Sequence, residues 1–546
     1  MYYLSVKSNK TRVDYTAYGT GYQLCLPINM EKIIPSDEPA RLLSAIVEEM
    51  NLEKLMATYS REGRIEYSPR LLLKVTLYGY MRRMYSVRAL ERGCQENINF
   101  IYLLEGEEPP SRSTIARFRK CHLKPEVVEE LLEQMVELLM AHGEISFEES
   151  AVFIDGTKIE ANANKYQFVF KKRVSRNQEK MEEKIRKELP GILELAEVAM
   201  ALPEEISIHW LKKVRKQLYQ RKAAEGIEFV YGRGRRKTQI QRGIEQVNGW
   251  LKREKRYNQE MYICGERNNY CKTDHDATFM HMKEDHMRNG QLKPGYNVNA
   301  ATVSEYVVGN YISSDRTDTK TLIPFMEKLK DYPVERVVVD AGYESEENYS
   351  YFEEYEQLSL FVKPSNYEQK KKRKYQTDIG RRENMPYDAE TDSYTCAQGK
   401  TLAAIGTKKT KSSAGYPIET TVYECADCSG CPCKEKCIRK GTSKVPLEER
   451  TKRLTVSKKF QAQRGAMEAK ITTEEGALLR VNRSIQAEGV FAFIKEDMSF
   501  RRFLTRGKAN VTTEWTLLSM AYNVQKLHHR IQAGRLGTHL FQPRAA

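Results

Sequence analysis

Two apolar runs in this sequence end in a carboxylate. Ala151-Val-Phe-Ile-Asp155 is followed by Gly156 and Thr157, and Glu335-Arg-Val-Val-Val-Asp340 by Ala341, Gly342 and Tyr343. Each run has the length of a buried strand, so each aspartate projects from a strand's carboxyl end, and neighbouring strands would bring the two together. Hard cations such as Mg2+ or Mn2+ take carboxylate oxygens and keep several waters, so a few acids converging on an open site suit them. Two such ions roughly 3.5–4 Å apart neutralise the entering and leaving oxygens of a phosphoryl transfer. A third acid is offered by a helical stretch that carries Arg480, Arg483, Glu488 and Lys495. Lys495 lies seven positions beyond Glu488, close to two α-helical turns, which puts both on one side: the carboxylate can hold metal while the ammonium anchors a phosphate. Glu514 is the nearest rival for the third acid.

Thiols form a second constellation. Cys425, Cys428, Cys431, Cys433 and Cys437 fall within thirteen residues, with Cys396 upstream. In a reducing compartment four of them close around a structural Zn2+, and Cys425, Cys428, Cys431 and Cys437 are the first choice, with Cys396 or Cys433 as substitutes. The first three also match an iron–sulfur ligand run, but Glu435 stands where the next cysteine belongs. His275, His281 and His286, with Asp274, Asp276 and Asp285, lack the spacing of a helical ligand pair and read as ordinary polar residues. No glycine-rich loop of the GxxxxGK[ST] kind is present, so no nucleotide cofactor is expected.

The elements that must hold these groups follow from composition and periodicity. The chain has 546 residues, 40% hydrophobic and 30% charged, and no apolar stretch approaches the roughly 18 residues that cross a bilayer. Its start, MYYLSVKSNK, lacks a secretory pattern, so a soluble cytosolic protein is expected. Lys and Arg outnumber Asp and Glu by 89 to 74, a net charge of +15, which suits a polyanion such as nucleic acid or simply a basic enzyme surface. Residues 1–147 read as all-helical, with Pro69 opening one helix and Ser86 capping the next. Ser111 or Ser113 precedes a short helix with Arg112, Arg117, Arg119 and Lys120, a cationic face that fits either the reading helix of a helix-turn-helix or a solvated bundle surface. From residue 148 to 531 the order is strand, helical insertion (168–270), hairpin around Ser304–Glu305, helix, strand, helix, strand, a basic and Cys-rich insertion (364–457), then helices. That is a mixed α/β architecture with helices packed on a sheet. Met181, Ile185 and Leu189 mark one insertion helix, which Pro190 is expected to break. Residues 532–546 read as a tail.

The assembled motifs resemble the DDE transposases of bacterial insertion sequences, specifically the insertion-sequence family eleven-eighty-two. The resemblance is carried by Ser68-Pro-Arg-Leu-Leu-Leu, Phe153-Ile-Asp155-Gly-Thr-Lys-Ile-Glu-Ala-Asn162, Thr273-Asp274-His-Asp276-Ala277, Gly295-Tyr-Asn-Val-Asn-Ala-Ala301, Val339-Asp340-Ala-Gly-Tyr343, Arg483-Ser-Ile-Gln-Ala-Glu488-Gly-Val-Phe, and Thr513-Glu-Trp with Ala521-Tyr-Asn523. It implies an RNase H-like catalytic core and an acidic triad of Asp155, Asp340 and Glu488 that binds Mg2+ or Mn2+. It also implies that Lys495 belongs to the signature around the glutamate. The related signature would place tyrosine at Val481 and arginine at Ser484; here the arginine is Arg483, one residue early, the tyrosine is missing, and Arg480 is an alternative phosphate contact. The implied activity is strand cleavage at the element's ends followed by strand transfer to target DNA, by a homodimer on two paired ends. The alternatives are an RNase H-like nuclease that cuts without joining, and a domesticated, non-catalytic DNA-binding protein.

Overall fold

The computed structural model describes residues 29–60, 67–148, 150–232, 234–282, 292–438 and 445–537. The reading of the first ten residues, the last nine tail residues, and His286 with Asp285 all lie outside them.

The N-terminal region is helical: α1 (Pro39–Glu49), α2 (Pro69–Met81), α3 (Val87–Glu96), α4 (Arg112–Arg117) and α5 (Pro125–Ala141). Proline supplies a preset φ at the start of α1, α2 and α5. Ser86 and Ser111 accept hydrogen bonds from the Ala89 and Thr114 amides, satisfying orphan donors of α3 and α4. From Leu71 to Met81 every residue of α2 is buried, the mark of a central helix.

The sheet contains β1 (Val152–Glu160), β2 (Thr278–His281), β3 (Leu292–Val303), β4 (Tyr306–Ser313), β5 (Arg336–Val339) and β6 (Ser359–Val362). β1 lies between antiparallel β3 and parallel β5, and β6 runs parallel on the far side of β5. Both β2 and β4 pair with β3. The β3–β4 hairpin turns on Ser304 and Glu305, with φ of +52° and +65°, the two left-handed residues that a tight hairpin turn requires. Neither is glycine, and the turn is held instead from outside. Arg530 donates to the Ser304 carbonyl at 2.8 Å, Tyr522 to the Glu305 carbonyl at 2.9 Å, and the Glu305 amide donates to Gln486 Oε1 at 2.6 Å.

Two regions interrupt this sheet. α6 (Lys171–Leu195), α7 (Ile208–Ala224) and α8 (Gln239–Cys264) pack on one another through their own buried cluster. Here one expectation fails: α6 continues through Pro190. Met181, Ile185, Leu189 and Leu193 are all buried on its inner face. Four such side chains at about 1.5–3 kcal/mol each outweigh the roughly 3 kcal/mol that an interior proline costs. The second interruption, from Lys363 to Val456, holds short helical turns and an antiparallel sheet with its own small core around Leu402, Tyr423 and Cys425.

Between β4 and β5 lies α9 (Leu322–Lys328), and between β5 and β6 lies α10 (Glu346–Glu354); α11 (Lys458–Ile471), α12 (Glu474–Arg483) and α13 (Lys508–Gln532) complete the chain. α13 packs against α2 and α5 on one side and β4 on the other. One buried cluster therefore runs from Ala40 and Leu43 through Ile154 and Val337 to Val524, so the N-terminal helices share their core with the sheet and are not packed as a separate body. No described helix is long and apolar enough to cross a membrane.

Candidate active site

β1 and β5 decide where the two aspartates stand. Ile154 pairs with Val339 in parallel register, so Asp155 in β1 and Asp340, just past the end of β5, come next on neighbouring segments. The strand carrying Asp155 differs from expectation: it continues five residues beyond the aspartate, because β3 pairs with it from Phe153 to Glu160. β5 does end before its aspartate. Asp340 turns into a short 3-10 segment, Ala341–Tyr343, and its own carboxylate accepts the Ala341 amide at 2.7 Å. Just beyond, Glu344 is clamped by Arg464 through Nε and Nη2 at 2.7 and 2.9 Å. Burial opposes its charge, but that guanidinium and the Ser365 amide hold its pKa below the usual carboxylate range.

The Glu488 segment crosses this edge. Leu479 of α12 and Ala487 share a buried cluster with Ala151 and Phe153 of β1, Val338 of β5 and Phe361 of β6. From Ser484 to Glu488 and from Phe493 to Asp497 the helix has π-type turns, which are associated with functional sites. Their presence changes the phase assumed for a regular α-helix. Glu488 keeps 53% of its side chain exposed, whereas Lys495 is buried, so the seven-residue spacing does not give the two a common exposed face.

Arg483 connects the acids. Its Nη2 donates to Glu488 Oε1 at 2.7 Å, and its Nη1 lies 3.9 Å from Asp155 Oδ1. Asp155 is 7% exposed. The arginine that stands one place early relative to the expected signature thus reaches both carboxylates. Among the described residues no group of three or more His, Cys, Asp or Glu is gathered as a metal site; the guanidinium bridges the acids instead. Glu514, the rival acid, is 1% exposed and accepts from the Leu504 amide and from the Thr505 amide and hydroxyl, a structural role at the start of α13. Asp274 is also structural, accepting from Tyr296 and from the Gly507 amide.

The cationic candidates divide. Arg117 and Lys120 are exposed and Arg112 is half-buried. Arg119 is committed internally, donating to the Tyr85 carbonyl and the Tyr80 hydroxyl, both at 2.7 Å. Lys120, Arg506 and Asn162 face one cleft of about 600 Å³ between the N-terminal helices and α13. Arg480 stacks over the Tyr367 ring at 5.6 Å. In the second interruption Cys396, Cys425, Cys428, Cys431 and Cys437 line one cavity of about 20 Å³. The Cys433 sulfur instead accepts from Gln398 at 3.3 Å.

A family model described as a transposase DDE domain matches residues 395–528, and one described as a transposase domain matches residues 28–121. Both matches support a DDE transposase of an insertion sequence. This is a class of DNA-cleaving, strand-transferring enzymes that use divalent metal ions. No curated protein and no solved structure matches the chain. Within the transposase, the first match contains Arg483, Glu488 and all six clustered cysteines; Asp155 and Asp340 lie outside both matches, and strand register alone brings them together. Sequence reasoning did not identify Arg483 as the link between Asp155 and Glu488, because their pairing depends on how α12 crosses β1.

Proposed function

We propose that this transposase binds the terminal repeats of an insertion sequence as a homodimer on paired ends, and that Asp155, Asp340 and Glu488 are its catalytic acids. The observation carrying this reading is the parallel register Ile154–Val339, which sets Asp155 beside Asp340, with Arg483 tying Asp155 to Glu488. The three side chains are all carboxylates, the ligand type that Mg2+ and Mn2+ take. When bound there, such ions would neutralise charge on the entering and leaving oxygens. In the first step water attacks a phosphorus at the element's end; an O–P bond forms, the bond to the 3′ oxygen breaks, and that oxygen leaves as a hydroxyl after gaining a proton. In the second step the freed 3′-hydroxyl attacks a target phosphorus in line, and the target's own 3′ oxygen leaves. Arg112, Arg117, Lys120 and Arg480 supply phosphate contacts, with Arg483 close to the reacting strand.

The test is incubation of the full chain with Mg2+ and linear DNA carrying the flanking element ends, with nicks and joined products mapped. Asp340→Asn removes one acid without changing size; cleavage is lost while end binding persists. Undiminished cleavage by that variant would reject the assignment. The spacing of Cys425, Cys428, Cys431 and Cys437, which with Cys396 line one cavity, supports a structural Zn2+ around which these thiols would have to close, since they form no preformed metal site among the described residues; Cys396 is the candidate to replace one of the four. About one zinc per purified chain, lost in Cys428→Ser, is the expected result; a zinc-free, fully folded protein would exclude it.

A further inference from the structure

Both candidate aspartates are followed closely by glycine, Asp155 by Gly156 and Asp340 by Gly342. Neither glycine has positive φ, so backbone freedom does not explain them. Room does. A Cβ at position 156 would stand 2.8 Å from Asp318 Oδ1, 3.1 Å from the Tyr343 hydroxyl and 3.2 Å from Asn299 Oδ1. A Cβ at 342 would stand 3.1 Å from Asp318 Oδ2, and its other close neighbours are also atoms of Asp318. The two oxygens of one carboxylate therefore face the two glycines.

Asp318 is held in this place by neighbours that are themselves buried. Asn297, 1% exposed, donates from Nδ2 to Asp318 Oδ1 at 2.7 Å, while its own Oδ1 has no hydrogen-bond partner. Thr321 caps the turn, its hydroxyl within hydrogen-bonding distance of the Asp318 carbonyl, at 2.8 Å, and of Asn299 Oδ1, at 2.9 Å. Asn348, also 1% exposed, spans the two turns, donating to the Thr319 carbonyl at 3.1 Å and to the Tyr343 carbonyl at 2.6 Å. Burial, and then the charges of Asp318, Asp155 and Asp340, push the Tyr343 phenol well up, so it stays a donor to Asn299.

We propose that Asp318 is a positioning residue of the active site: its carboxylate, wedged between Gly156 and Gly342, fixes the spacing of the chain segments that carry Asp155 and Asp340. It acts by shape and by its bond to Asn297, not as a metal ligand. The inference rests on the assignment of Asp155 and Asp340 as catalytic acids.

The test is calorimetric titration of the full chain with Mn2+ alone, beside thermal unfolding and nicking of end DNA. Asp318→Ala is expected to weaken Mn2+ binding about tenfold, the size of effect seen when groups supporting metal ligands are removed. Asp318→Asn, which keeps the shape and an acceptor for Asn297, stays within about twofold of the parent. Gly342→Ala, whose methyl meets only Asp318, weakens binding about threefold in the parent and adds nothing to Asp318→Ala. Should Asp318→Ala fail to fold, Gly342→Ala carries the test, and parental Mn2+ affinity in it overturns the proposal. Equal losses in Asp318→Asn and Asp318→Ala would assign the effect to charge and overturn it too. If Asp155→Asn abolishes Mn2+ binding while Asp318→Ala binds like the parent, this inference alone fails; if both bind like the parent, the site assignment itself is wrong.

Discussion

Replacing Arg483 by glutamine tests the bridge between the acids most directly. In the structure the guanidinium lies 2.7 Å from Glu488 and 3.9 Å from Asp155, so it competes with any cation for the same carboxylates. At the 2.7 Å of the Arg483–Glu488 pair two unit charges attract by about 6 kcal/mol at an effective dielectric of 20, and by about 1.5 kcal/mol in water. Glu488 is more than half exposed, so solvent screening holds this pair to about the 1 kcal/mol of an exposed ion pair, and losing the competitor is worth about that much, or roughly fivefold in affinity. Arg483→Gln is therefore expected to bind Mn2+ about five times more tightly than the parent in calorimetry at low salt. Its affinity for end DNA falls, and the slope of log K against log salt shrinks by about one phosphate contact. Unchanged or weaker Mn2+ binding would refute the reasoning, since the arginine would then not occupy the space in which the acids act.

Other perturbations test the frame around the site. Glu144 is fully buried and receives Tyr306, Arg530 and the Gly537 amide; Glu144→Ala should cost about 3 kcal/mol in urea unfolding, because Arg530 loses a buried partner. These bonds hold the Glu144 pKa below its usual value against burial, so its stabilising effect is complete above about pH 4.3 and disappears as pH falls through the lowered folded value; the gap between parent and Glu144→Gln should close in acid. Lys120→Ala, at an exposed position on the cleft, should reduce the salt slope of DNA binding by about one and leave Mn2+ binding unchanged. Pro190→Ala, at an exposed position in α6, should stabilise the protein by about 1–2 kcal/mol, the regained helical bond exceeding the added freedom of the unfolded chain.

Local signals made much of this architecture legible. The Ser86 cap, the hairpin at Ser304–Glu305, and the apolar runs before Asp155 and Asp340 all depend on residues close in sequence, and each is where the spacing placed it. The misreadings arose where distant packing overrides a local rule. Pro190 stays in its helix because Leu189 and Leu193 are buried against other helices, and the strand of Asp155 extends because β3 pairs along its full second half. Lys495 is buried while Glu488 stays exposed, a difference that no periodicity rule anticipates in a segment whose π-type turns pack against β1 and β3.

The same contrast explains the site. An aspartate at the end of an apolar run is visible in a sequence, but its partner is set by register, and register is a property of two strands at once. Once Ile154 and Val339 are paired, the glycines after each aspartate acquire a reason, since the Asp318 carboxylate fills the room they leave. Gln486 extends the logic to Glu488, the third acid of the proposed site. By accepting the Glu305 amide it ties the β3–β4 turn to a point two residues before Glu488, so the strand that pairs with β1 also helps fix the segment crossing it. The geometry of the proposed site thus rests on coupled contacts among β1, β3, β5 and the Glu488 segment, and a change confined to any one of them should be transmitted to Asp155, Asp340 and Glu488 together.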